Sequence, residues 1–158
     1  MFFVSLSVFP AVQANVHSIE GIISDTYFAA VTTFLTFNLF AMFGNILASE
    51  SIPKPGPKYL WIPITLRILL IPFFLLCNYR PPSGRSWPVV FDSDWAFWVG
   101  SVTLGLTSGY FSSLTMMYAP KSVPGDQAQI AAMMAGFFLI FGIFIGICST
   151  FAWPHLVN

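Results

Sequence analysis

The sequence predicts an all-α protein, a polytopic transmembrane helix bundle of about five spans. Three observations predict it. Hydrophobic residues make up 56% of the 158-residue chain and charged residues 8%, against about 25% charged in a typical soluble domain. Such a chain cannot build a polar exterior, and lipid is the simpler solvent for it. Long apolar runs recur at about 2–15, 27–48, 60–77, 95–118 and 130–153, separated by short proline- and glycine-rich breaks. Within the runs there is no alternation of the kind a membrane β-barrel needs, and each is longer than a barrel strand of ~10 residues. Every backbone N–H and C=O in lipid must be paired within its own segment, which leaves the α-helix.

The first run is short for a span, since a bilayer needs about 20 helical residues. Phe2–Val12 also resembles the apolar region of a secretory signal, with Val12-Gln13-Ala14 as a cleavage-like site. No Lys or Arg precedes it. The expected reading is therefore a span lacking its first turns, in a single transmembrane domain over residues 1–158 that is incomplete at the N-terminus. The second run carries no charge, and Asn38 is its polar exception. The third holds Arg67 near its middle, with Pro63 and Pro72 as kinks or ends. Asp92 and Asp94 precede the fourth, and the fifth is almost wholly apolar. The turns Ser51–Pro57, Arg80–Arg85 and Pro120–Gly125 are short enough to join antiparallel neighbours.

Alternate connections fall on one side of a membrane. Lys54, Lys58 and Lys121 lie on one side and Arg80 and Arg85 on the other, so the first side is expected to be cytoplasmic and the C-terminus non-cytoplasmic. Glu20, Asp25, Asp92 and Asp94 share the second side. Trp61, Trp87, Trp95 and Trp153 stand near span ends, where an interfacial belt is expected, and most of the 18 Phe are expected to face lipid. A formal net charge of zero with no basic run argues against nucleic acid. Cys77 and Cys148 lie in apolar stretches without metal spacing and read as core residues. No phosphate loop, His/Cys/carboxylate cluster or catalytic triad pattern is visible, so neither an enzyme nor a cofactor or metal site is expected.

Arg67 is the sharpest single residue, because a charge in mid-membrane costs at least ~2.5 kcal/mol on insertion scales. It reads either as a substrate or gate contact or as a structural hydrogen-bonding residue. Ser101, Gly105 and Gly109 recur every four residues, a small-residue face for close helix approach. Gly142 and Gly146 repeat it in the fifth run. The hydroxyls of the fourth run spread wider than one packing stripe, which points to a polar cavity.

Leu106-Thr-Ser-Gly-Tyr-Phe-Ser-Ser-Leu-Thr-Met-Met-Tyr-Ala-Pro-Lys121 resembles the tenth helix of equilibrative nucleoside transporters and the turn after it. Phe34–Phe40 resembles the start of their eighth helix, Leu66–Asn78 the ninth and Val8–Val12 the seventh. The likeness runs in order along nearly the whole chain. It implies the C-terminal part, helices seven to eleven, of an eleven-helix major-facilitator-like solute carrier. Such a protein moves nucleosides, and in some members nucleobases, down their gradient. The resemblance favours the plasma membrane over an intracellular one. It implies substrate contacts at Phe9 and Phe34 for the base, at Asn38 and Asn45 for the ribose, and at Arg67 and Ser108. Where the family has an Asp and an Arg four residues apart in its eighth helix, this chain has Ala41 and Asn45. The expected partners are a nucleoside, the lipid bilayer, and either the missing N-terminal helices or a full-length copy. The alternative expectation is a truncated, non-transporting membrane protein that associates with a full-length transporter through its glycine faces.

Overall fold

The fold is all-α. A computed structural model describes residues 2–18, 25–49, 54–77, 79, 89–91 and 93–157. Glu20, Asn78, Arg80, Arg85, Trp87, Asp92 and the start of the Ser51–Pro57 turn lie outside them. The chain forms α1 (Phe2–Val8) with a 3-10 turn at Gln13–Asn15, then α2 (Asp25–Phe28) and α3 (Thr36–Ser49), joined by a π-helical stretch at Ala29–Leu35. Next come α4 (Trp61–Leu66) and α5 (Leu70–Leu76), joined by a 3-10 turn at Arg67–Leu69, and then the long helices α6 (Asp94–Tyr118) and α7 (Ala128–Thr150). A short α8 (Trp153–Val157) closes the chain.

The helix breaks have local causes. Pro10 follows the end of α1. Pro72 cannot donate to the carbonyl of Ile68 and crowds it, and the helix tightens to 3-10 geometry at Arg67–Leu69 just before it. In the π stretch, Thr36 Oγ1 donates to Val31 O at 2.8 Å and Thr32 Oγ1 to Phe28 O at 2.6 Å, so side-chain hydroxyls supplement the widened backbone ladder.

Among the described residues two helices are long and apolar enough to cross a membrane, Ala29–Ser49 and Gly125–His155; Phe2–Asn15 and Trp61–Leu76 are shorter apolar helices. This is fewer than the five spans expected. The sixteen residues from Trp61 to Leu76 reach about 24 Å, short of the ~30 Å hydrocarbon core. In α6 the length suffices, and its Ser, Thr and Gly content lowers the hydropathy.

That polar content has a structural counterpart. Among the long helices α6 is the most enclosed, with Phe97, Ser101, Leu104, Ser108 and Leu114 buried along one side. The most apolar, α7, is the most exposed, with only 6% of its most apolar window buried. A water-soluble bundle would show the reverse. The core holds Phe97 in ring contact with Phe28 and with Phe74, at centroid distances of 5.8 and 5.7 Å. These three rings face inward, whereas Phe34, Phe137, Phe138, Phe144 and Phe151 are exposed. Cys77 is buried as expected, whereas Cys148 is exposed, because it sits on the outer side of α7.

The tightest contact is α3 against α6. An ideal Cβ on Gly109 would lie 2.0 Å from Ala41 O, and one on Gly44 would lie 2.2 Å from Leu106 O. At Gly105 the nearest atom is Phe37 O, 2.8 Å from such a Cβ. Backbone meets backbone here, so no side chain can rotate away to make room. Gly146 meets α1 in the same manner, 2.9 Å from Leu6 Cβ, while Gly142 has 3.4 Å to Phe2 Cβ. Ser101 does not pack as a bare small residue; it is fully buried and hydrogen-bonded.

The connections sort to two ends. Tyr118 Oη donates to Pro55 O at 3.2 Å, which puts the Lys54–Lys58 and Lys121 turns at one end. At the other, Val16 pairs with Tyr79, and Ser18 donates to Asp94. Trp61 and Trp95 are exposed at helix starts, whereas Trp153 is half-buried and donates to Ser7 O at 2.7 Å.

Gly109→Ala and Gly44→Ala are each expected to lower the detergent melting temperature clearly, since overpacking costs about 1–3 kcal/mol or more. Gly136→Ala, where a Cβ meets nothing within 4 Å, should leave it unchanged. Static light-scattering melts on the three variants check this.

Candidate functional site

Two groups of side chains stand out. The first is interior and joins three helices. Arg67, on the 3-10 turn between α4 and α5, is 4% exposed. Its Nη2 donates to Ser5 Oγ of α1 at 2.9 Å and to Leu104 O of α6 at 3.2 Å. Ser5 Oγ lies 3.0 Å from Ser108 Oγ. Leu104 O is available because Thr107 Oγ1 bonds chiefly to Thr103 O at 2.6 Å and only loosely to Leu104 O at 3.3 Å. A hydrogen bond to a charged group is worth about 1.5–3 kcal/mol, so this junction ties α1, the 61–76 helix and α6 together. Arg67 Nε and Nη1 have no partner among the described residues. Nearby, Gln13 Nε2 donates to Ser101 Oγ at 3.3 Å, a second polar tie between the first helix and α6.

The second group is an aromatic and amide face. The Phe9 ring stacks on Phe37 at 4.0 Å with 14° between planes, and meets Phe34 edge-on at 5.6 Å. Phe34 is 45% exposed. Asn38 is exposed, and its Nδ2 donates to Phe34 O at 2.7 Å, which leaves its Oδ1 facing outward. Asn45 is exposed too; its Oδ1 accepts from Ser113 Oγ at 2.9 Å, leaving its Nδ2 to donate elsewhere. Spacings of four and seven residues put Phe34, Asn38 and Asn45 near one side of the helix. That side offers an aromatic surface, an acceptor and a donor, without charge.

The six residues expected to contact a solute therefore fall into two places. Arg67 and Ser108 lie inside with Ser5; Phe9, Phe34, Asn38 and Asn45 lie on or beside the exposed face of α3. Among the described residues no hydrogen bond or ring contact joins the two groups. Ala41, where a charged family position falls, backs onto Gly109. Most hydroxyls of α6 serve their own backbone: Thr103 bonds Val99 O, Ser112 bonds Gly109 O and Thr115 bonds Phe111 O. Among the described residues, only Ser101, Ser108 and Ser113 of these Ser and Thr hydroxyls bond to another helix; Thr103 and Thr107 also line a groove beside Arg67. Ser5, Gln13 and Phe37 went unnoticed in the sequence. Ser5 and Gln13 had a signal, as polar residues inside an apolar run, whereas nothing local marks Phe37.

An apolar exterior around a polar, charged interior seam defines a helical membrane protein of the polytopic class. The chain belongs to the nucleoside transporter family, whose profile, described as Nucleoside transporter, matches residues 1–155. It is a transporter-family chain and not an enzyme. It is 32% identical to equilibrative nucleoside transporter 3 of Rattus norvegicus over 99% of this chain and 34% of that protein. It is 34% identical to equilibrative nucleoside transporter 1 of Homo sapiens over 99% of this chain and 35% of the relative. The rat equilibrative nucleoside transporter 2 matches at 31% over the same share of this chain. The chain thus spans about a third of the length of these relatives.

Ser5→Ala leaves a buried guanidinium with one bond fewer, and a cost of about 1–3 kcal/mol is expected. Ser112→Ala, which loses only an own-helix bond, should cost less than about 0.5 kcal/mol. Denaturant unfolding in micelles, followed by tryptophan fluorescence, measures both.

Proposed function

We propose that residues 1–158 are a single transmembrane domain, the C-terminal part of a transporter that moves nucleosides down their gradient. The observation that carries this reading is the uncharged aromatic and amide face of Phe9, Phe34, Asn38 and Asn45, on a chain that matches the family almost end to end. A nucleoside is neutral, flat at its base and rich in hydroxyls at its ribose. Its base lies against Phe34 and Phe9, and its hydroxyls exchange hydrogen bonds with Asn38 Oδ1 and Asn45 Nδ2. Arg67 and Ser108 act behind that face, holding α1 and α6 in register. Transport then needs two openings of similar free energy, with the helices rocking about the bound solute. In this reading all five rods cross the plasma membrane, the lysine-bearing end is cytoplasmic and the C-terminus is not. Nucleobases, which lack the ribose, are a secondary substrate class.

A second reading, a non-transporting chain that binds a full-length copy, draws on the exposed side of α7, where Phe137, Phe141 and Phe144 are uncovered. The glycine faces are not free for it: α3 fills Gly105 and Gly109, and α1 fills Gly146. Co-purification with the longer transporter, weakened by Phe137→Ser with Phe144→Ser, is the outcome that favours it.

Uptake of radiolabelled uridine by cells expressing the full-length protein tests the first reading. Asn38→Ala is expected to lower initial uptake about fivefold at equal surface level, the equivalent of one hydrogen bond of about 1 kcal/mol. Phe34→Ala should lower it at least as much. Unchanged uptake in the double variant would sink the proposed face.

A further inference from the structure

We propose that Arg67 is the docking point for a carboxylate carried by a membrane helix of the same transporter outside residues 1–158. This rests on the reading of the chain as part of a longer transporter. The guanidinium has five N–H donors, and Nη2 uses its two on Ser5 and Leu104. The three on Nε and Nη1 are unanswered among the described residues, in a side chain that is 4% exposed. A buried charge without a counter-charge is expensive, and it persists where the surrounding structure supplies one. No acid among the described residues bonds to it; Asp94 sits at a helix end with Ser18.

The structure leaves an approach. Arg67 lines a groove of about 270 Å³ between the 61–76 helix and α6, walled by Pro63, Leu66, Leu70, Thr103 and Phe111. Leu66 is 63% exposed at its rim. The groove lining holds no acidic residue, and the hydroxyl protons of Thr103 and Thr107 are taken by their own helix. The walls are otherwise apolar, which suits a helix side rather than a hydrated ion.

Depth selects the source of the carboxylate. Arg67 is six residues from Trp61 and nine from Leu76, about 9 Å and 14 Å along the helix. A lipid headgroup at the membrane surface lies beyond that reach, whereas an Asp or Glu on an adjacent helix does not. Because the chain spans about a third of its relatives' length, most helices of such a transporter lie outside it. A pair formed this way is hydrogen-bonded on both sides and removed from water, so it fixes how the two parts of the transporter seat against each other.

The test uses the full-length transporter in mild detergent and reads the fraction recovered as a single monodisperse peak. Arg67→Gln is expected to lower that fraction about threefold or more, because it strands the carboxylate. One Asp→Asn or Glu→Gln substitution at an intramembrane acid outside residues 1–158 should restore it to within about twofold of the parent, since both sides are then neutral. Ser5→Ala, which weakens the junction and keeps the charge, should not be restored by that substitution. Unchanged recovery of Arg67→Gln, or a scan of all intramembrane acids that restores none, overturns the proposal. So does restoration by added anionic phospholipid alone, which would assign the groove to lipid. Uptake is not read here, so the docking and transport readings fail separately.

Discussion

The arrangement depends on one contact, the backbone-to-backbone approach of α3 and α6. Gly44, Gly105 and Gly109 let the two helices meet with no side chain between them. In lipid there is no hydrophobic force to press helices together, so close van der Waals contact and buried hydrogen bonds must do it. That approach brings Asn45 within reach of Ser113 and seats Phe37, on which Phe9 stacks, against Gly105. The exposed residues Phe34, Asn38 and Asn45 thus border the seam, with Asn45 bonded across it.

Around this seam the polarity gradient runs inward. The helix richest in Ser, Thr and Gly is enclosed by the others, and the most apolar helix lies outermost. The interior is not a conduit of hydroxyls, because most of them close on carbonyls three or four residues back. What is left for interhelical bonding among the described residues is a small set: buried Ser5, Gln13, Arg67, Ser101 and Ser108, and the less buried pairs Ser113–Asn45 and Trp153–Ser7. Arg67 dominates it, since one guanidinium reaches α1 and α6 at once from a turn made by a proline. The hub of Ser5, Arg67 and Ser108 is buried, whereas Phe34, Asn38 and Asn45 are exposed.

The helical class, the order of the runs and the family were legible because they depend on composition, run length and local motifs. Glycine spacing in α6 marked the α3 contact before any partner was known, although the matching Gly44 drew less notice. Arg67 was legible as an anomaly, but its role was left open between solute contact and structural bonding. Its partners could not be read from the chain, since Ser5 and Leu104 lie 62 and 37 residues away. The hydroxyls of α6 carry a related ambiguity: a Thr side chain that bonds its own backbone, such as Thr103, has the same sequence signature as one that bonds another helix. Length and hydropathy by themselves support two of the five runs as spans among the described residues, because a short or hydroxyl-rich helix falls below that test even where its neighbours enclose it.

By itself the sequence determined that the protein is helical, that lipid is its solvent and that it is a relative of nucleoside transporters. Those properties are sums over residues or over short windows, which no folding is needed to evaluate. Only the tertiary structure decided that Phe9 and Phe34 meet edge to face, that Asn38 and Asn45 are exposed, and that Arg67 and Ser108 are buried with Ser5. Such placements depend on which faces of distant helices meet, and the close glycine contacts that select those faces act across the fold rather than along the chain.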